Sequence, residues 1–270
     1  MAALLKCSWC TSTRHLREPR RRLSPYQEMS SVHPNRIERY IIGLPRKVLR
    51  TMVSGSDGDG IWTTADARDR KEEMPRCVVE DLSRPLLEGP LHTLDEIRLD
   101  TASLPPALPG VYAWWFREGC LPMVPMEHCP HRDEYRLLYI GITAATRRSN
   151  TTLCDRIVYC HVRGRATNST LRTSLGLLLE DQLGTRPTRI SSRNWHFEGE
   201  AEKALSDWIA RNATVSWVTV YELKHRRALE DYLIETCQVP LNLKGNRKHP
   251  FYGTLYALRR AADARTKLAG

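Results

Sequence analysis

The order of hydrophobic patterns along this 270-residue chain predicts an α+β fold. Three short runs rich in aromatic and β-branched residues, at 111–116, 137–143 and 216–221, read as strands. Stretches with apolar residues at helical spacing follow the second run and the third. Too few strands alternate with helices for a doubly wound parallel sheet, so the order β-β-α-α-α-β-α-α points to strands and helices in separate groups.

Each element has its own reason. Pro105, Pro106 and Pro109 break any helix before the first strand, Val111-Tyr112-Ala113-Trp114-Trp115-Phe116. The second strand is Leu137-Leu138-Tyr139-Ile140-Gly141-Ile142-Thr143. Residues 153–162 carry apolar side chains at helical spacing. Ser169 is a natural N-cap for the next helix, whose Leu171, Leu175, Leu178 and Leu179 recur at i, i+4, i+7 and i+8. Ala204, Leu205, Trp208 and Ile209 mark one face of a helix over 199–213. Ser216-Trp217-Val218-Thr219-Val220-Tyr221 alternates as a strand, 226–236 is a helix stopped by Pro240, and 252–268 is a helix with a basic outer face.

Upstream the pattern weakens. Residues 1–85 form an N-terminal extension, of which 1–60 lacks any sustained hydrophobic period and carries Arg20-Arg21-Arg22 and the Gly/Ser/Asp tract at 54–60. A short apolar patch, Tyr40 to Pro45, has no assigned place. Val78-Val79 reads as a weak strand, and Leu94, Ile97 and Leu99 as a helical turn. Residues 86–107 are a Pro-containing lead-in, 108–248 the main domain and 249–270 a basic C-terminal helix.

No run reaches the roughly 20 apolar residues that span a bilayer, and mean hydropathy is −0.46, so no membrane partner is expected. Met1 to Leu5 is too short for a secretory core. The eight cysteines therefore read as reduced thiols and the location as cytoplasmic. The Arg- and Ser-rich first 25 residues also resemble an organellar transit peptide, or chain upstream of a true start at Met29. A net charge of +10 and a pI near 9.4 suit a polyanionic partner.

Phosphodiester cleavage needs a base to activate the nucleophile, a cation for the phosphoryl oxygens and, usually, a carboxylate-held metal. Tyr112 and Tyr139 lie in strands beside Gly110 and Gly141, where backbone can be approached closely. Arg156 is the candidate cation; periodicity alone allows it either an inward or a solvated position. Glu230, at the rim of the Leu229/Tyr232/Leu233 stripe, is the candidate carboxylate, and Asn242 follows Pro240-Leu241 in a turn.

These motifs in this order resemble the GIY-YIG nuclease superfamily. Gly110-Val111-Tyr112 stands for its first triplet and Tyr139-Ile140-Gly141 is its second intact. Leu153 to Ile157 looks like the arginine helix, and Leu229-Glu230 through Leu233-Ile234 with Asn242 looks like the carboxylate helix. The resemblance covers about 108–245. It implies an α/β/α sandwich around a three-stranded antiparallel sheet, and hydrolysis of DNA with one Mg²⁺ (or Mn²⁺). Tyr112 would then deprotonate water, Tyr139 would position water or phosphate, Arg156 would bind the scissile phosphate, Glu230 would hold the metal and Asn242 would steady the site.

Two positions depart from the family. Ile142 stands where many members carry a lysine. Restriction-like members place a histidine four residues after the arginine, where this chain has Cys160; His161 is at five. On an α-helix five residues turn about 140° away and four about 40°, so His161 joins the site only if the helix ends or bulges. Arg163, Arg165, Arg172, Lys244, Arg247 and Lys248 are expected to track nucleic-acid phosphates, with Arg147 and Arg148 nearby. The segment 117–135 reads as a solvent-facing loop against DNA, since Cys120, His128, Cys129 and His131 fit no closed zinc motif and Cys7-x-x-Cys10 lacks a second pair. Catalytically inactive nucleic-acid binding is the alternative function, as is cleavage of RNA or structured DNA. A homodimer would provide two sites for double-strand cutting.

Overall fold

The computed structural model describes residues 74–99, 103–146, 148–184, 186–190 and 195–269. All belong to one compact unit, Thr64–Gly270. The expectations for residues 1–73, including Cys7, Cys10 and the 54–60 tract, and for Arg147, lie outside the described residues.

Helix α1 (Arg76–Leu87) precedes strand β1 (His92–Thr93) and α2 (Leu94–Leu99). β2 (Gly110–Arg117), β3 (His131–Arg132) and β4 (Tyr135–Ile142) lead to helix α3 (Asp155–Val162), α4 (Thr170–Leu178) and α5 (Glu180–Leu183). A two-stranded ribbon of β5 (Thr188–Arg189) and β6 (Trp195–His196) precedes α6 (Gly199–Asn212), β7 (Ala213–Thr219), α7 (Leu223–Cys237) and α8 (Tyr252–Ala269).

The α+β class and the three long strands follow the sequence reading. The sheet itself is five-stranded, in the order β1-β7-β2-β4-β3 and antiparallel throughout, where a three-stranded one was expected. The additions are two-residue edge strands, too short to show alternation. Val78-Val79 is helical, because Val79, Leu82, Ser83 and Leu86 repeat at i, i+3, i+4 and i+7 and are all buried. α1 runs through the boundary drawn at residue 85.

The sheet divides the apolar side chains. Tyr112, Trp114 and Phe116 of β2 share a core with Ile157 and Val158 of α3, Leu171 and Leu175 of α4, and Leu205, Trp208 and Ile209 of α6. The alternate residue Trp115 faces α1: its indole N–H donates to Ser216 Oγ at 3.0 Å, and that hydroxyl donates to the Leu86 carbonyl at 2.8 Å. α7 packs with α1 and on β4. Fully burying one such aromatic or leucine stabilises by about 1.5–3 kcal/mol. The segment 117–135 is not a solvated loop, since Leu121, Val124, Met126 and Cys129 are buried in the same core. Among the described helices none is long and apolar enough to cross a membrane.

Candidate active site

The two strands bring the phenols together through a glycine. Tyr112 pairs across β2–β4 with Gly141, and a Cβ on Gly141 would collide with the Tyr112 ring and hydroxyl. The bare backbone of Gly141 is thus used by a tyrosine of the neighbouring strand, not by a ligand. Gly110 is constrained likewise, since its Cβ would strike the Val218 carbonyl oxygen and Leu153. Tyr139 sits opposite Trp114, two pairs along.

Helix α3 supplies the next two groups. Near its end the Arg163 N–H bonds the Val158 carbonyl at 2.8 Å, five residues back, so the helix is wound as a π-helix rather than an α-helix. That wider turn stacks residue i+5 over residue i. His161 therefore lies one turn above Arg156 instead of around the cylinder from it. Its Nε2 is 2.8 Å from Tyr112 Oη, and its Nδ1 is 2.7 Å from Ser169 Oγ. His161 is fully buried, with the Trp114 and Tyr139 rings edge-on at 5.8 and 6.3 Å.

Electrostatics link these groups. Burial pushes the Tyr112 phenol well above its ordinary range, against the pull of Arg156. Burial also raises Tyr139, with Arg156 opposing and Glu230 adding. Arg156 is held more firmly protonated, chiefly by Tyr112, against burial. His161 is pushed well below its ordinary value by burial, then by Arg156 and Arg172, so it is neutral at neutral pH.

Glu230 lies on α7, in the other helix layer, beside buried Leu229, yet its charge acts on both Tyr112 and Tyr139. Burial pushes its carboxyl up to about 7, with Lys244 and Arg227 pulling down and Asp231 pushing up. It makes no ion pair or hydrogen bond with the described residues. A half-buried carboxylate of this kind suits a divalent cation that takes its remaining ligands from water and phosphate. No group of three or more metal-capable side chains occurs among the described residues.

Asn242 contacts backbone only. Its Oδ1 accepts from the Ile140 N–H at 2.9 Å and its Nδ2 donates to the Ile140 carbonyl at 2.7 Å, between Tyr139 and Gly141. Asn246 Nδ2 in turn donates to the carbonyls of Val239 and Asn242. Asn242 thus staples the chain after α7 to the edge of β4, with its amide already committed.

The basic residues divide. Arg163, Arg165, Lys244, Arg247 and Lys248 are exposed, and the first two line a cleft of about 330 Å³ with His196 and Lys203. Arg172 cannot contact phosphate as expected, because it is fully buried. It donates to Glu202 Oε2 at 2.6 Å, to the Glu202 carbonyl and to the His161 carbonyl, each at 2.9 Å.

Sequence reasoning took Ser169 as a helix cap, which it is, with Oγ accepting from the Arg172 N–H at 3.0 Å. Its second contact, to His161, had no sequence signal. Nor did Arg259, which with Thr170 acts on the Tyr139 phenol. The family model of the GIY-YIG catalytic domain matches residues 110–261, more than half of the chain. No curated protein and no solved structure matches it.

Proposed function

The chain belongs to the GIY-YIG nuclease superfamily, and on that premise we propose that it is a metal-dependent endonuclease that hydrolyses DNA phosphodiester bonds. The observation that supports this most is the buried Tyr112–His161 pair at 2.8 Å, one π-turn from Arg156.

Tyr112 acts as the base toward the attacking water. An unpaired phenol, with a pKa of about 10 in water and raised further by burial, is poor at this. His161 supplies the outlet: with Nδ1–H donating to Ser169 Oγ, Nε2 is free to accept the phenolic proton as Tyr112 takes one from water. Arg156, whose Nη1 donates to the Asn168 carbonyl at 3.3 Å and whose Nε has no partner, presents its planar fork to the phosphate oxygens. Tyr139 orients water or phosphate beside it. Asn242 fixes the backbone between Tyr139 and Gly141. Mg²⁺ or Mn²⁺ held through Glu230 would neutralise charge on the leaving oxygen. Arg163, Arg165, Lys244, Arg247 and Lys248 track the flanking strand.

The test is nicking of supercoiled plasmid with Mg²⁺, beside Arg156→Ala and Glu230→Ala. Removing one charge-stabilising group costs about 10²–10³ in rate, so both variants should lose nicking by that order. Nicking undiminished in both would sink the proposal. A panel of duplex, branched and single-stranded DNA and RNA identifies the preferred substrate.

A further inference from the structure

Three consecutive residues form one platform under the site. The Asn168 carbonyl accepts from Arg156 Nη1 at 3.3 Å, Ser169 Oγ meets His161 Nδ1 at 2.7 Å, and the Thr170 carbonyl accepts from Arg259 Nη2 at 3.0 Å. Arg259 comes from α8 and is tied down a second time through Ser174 Oγ, at 2.9 Å. It shares with Arg156 the Tyr139 phenol, on which both guanidinia act.

We propose that Arg259 forms a second phosphate-binding subsite, holding a backbone phosphate next to the one bound by Arg156. The proposal rests on the nuclease reading for the identity of the anion. Its physical ground is uncompensated charge. No carboxylate among the described residues pairs with Arg156 or Arg259; the Nε of each is also buried without a partner, as it is in the carboxylate-paired Arg136 and Arg172, so it is the missing acid that sets these two apart from those. By contrast Arg172 has Glu202, Arg189 has Asp263 and Arg265 has Glu180. Removing a guanidinium from water is costly unless an anion meets it. Burial accordingly lowers Arg259 to about 10, and Tyr139 is the group that pulls it back. A phosphate offers both the missing charge and acceptors for the idle N–H groups.

The test is binding of a short DNA duplex by the full chain, with chelator present, over a KCl series, alongside plasmid nicking in Mg²⁺. Each phosphate contact contributes about 0.9 to the slope of log affinity against log salt. Arg259→Ala should lower the slope by about that much, whereas Ser174→Ala, which removes a tether but no charge, should leave it unchanged. Arg259→Gln, which keeps an N–H for the Thr170 carbonyl, should show the same loss and decides the matter if the alanine variant does not fold. An unchanged slope in a cooperatively melting Arg259 variant overturns the subsite, even if the wild-type chain nicks plasmid. A lowered slope without any nicking supports the subsite and counts against turnover. A wild-type chain that binds no duplex overturns both.

Discussion

Two arginines flank His161 and do opposite things. Arg172 lies at the start of α4, wholly buried, with Glu202 at 2.6 Å and the backbone carbonyls of His161 and Glu202 taking its other N–H groups. Arg156, on the same helix as His161, has phenols around it and no acid paired with it. The difference shows how to sort buried cations. One matched by a carboxylate is closed to ligands and sets geometry, here the height of the His161 backbone. One left without a carboxylate is either closed by backbone carbonyls, as buried Arg226 is by four of them, or left with N–H groups that an anion from outside can meet.

The comparison breaks most visibly if each arginine is removed. Arg172→Ala strands Glu202 in the core and should cost about 3–5 kcal/mol of stability, read as a lower denaturation midpoint. Arg156→Ala strands no carboxylate, only the exposed Asn168 carbonyl, so its midpoint should stay close to wild type while nicking falls about 10²–10³-fold. Equal stability loss in both variants would show that Arg156 is structural after all.

A smaller effect is expected at the glycine that seats Tyr112. A methyl at Gly141 meets the Tyr112 ring, so the ring must move away from His161. Gly141→Ala should cost about 1–3 kcal/mol, as overpacked core positions do, and should slow nicking more than it lowers stability. A variant that loses stability but nicks normally would separate Tyr112 from the chemistry.

How much of this was legible in the sequence depended on where each partner lies. Strands β2, β4 and β7 and the helices over 199–212 and 223–237 announce themselves by local period, and Tyr112, Tyr139, Arg156 and Glu230 by motifs whose order along the chain is legible. Arg172 looked like surface charge because its acid is 30 residues away, and Arg259 looked like the basic face of a terminal helix because Thr170 is 89 residues away. The π-winding of α3 was equally hidden. Spacing on an α-helix turns His161 away from Arg156, and only the backbone bond from Arg163 to Val158 brings it back. The two-residue strands β1 and β3 exist only because the long strands offer them an edge.

The finest comparison is of His161 with itself in the folded and unfolded chain. Tyr112 and Tyr139 face it from the sheet, Arg156 from its own helix and Arg172 from α4. Burial and the two cations keep its folded value well below 6.5, the value it regains on unfolding. Below pH 6.5 the unfolded chain therefore takes up a proton that the native imidazole refuses. Native stability contributed by His161 is complete above pH 6.5 and is lost as pH falls, by up to about 1.4 kcal/mol per unit. His92, His225 and His249 are lowered by burial too and act in the same direction, so the whole-chain slope does not isolate one residue. The difference between wild type and His161→Gln does. Between pH 6.5 and 5 the variant should lose stability less steeply than wild type, measured by urea denaturation at half-unit intervals. Parallel curves would mean that His161 binds its proton equally well folded and unfolded, and that neither burial nor the two arginines acts on it in the native chain.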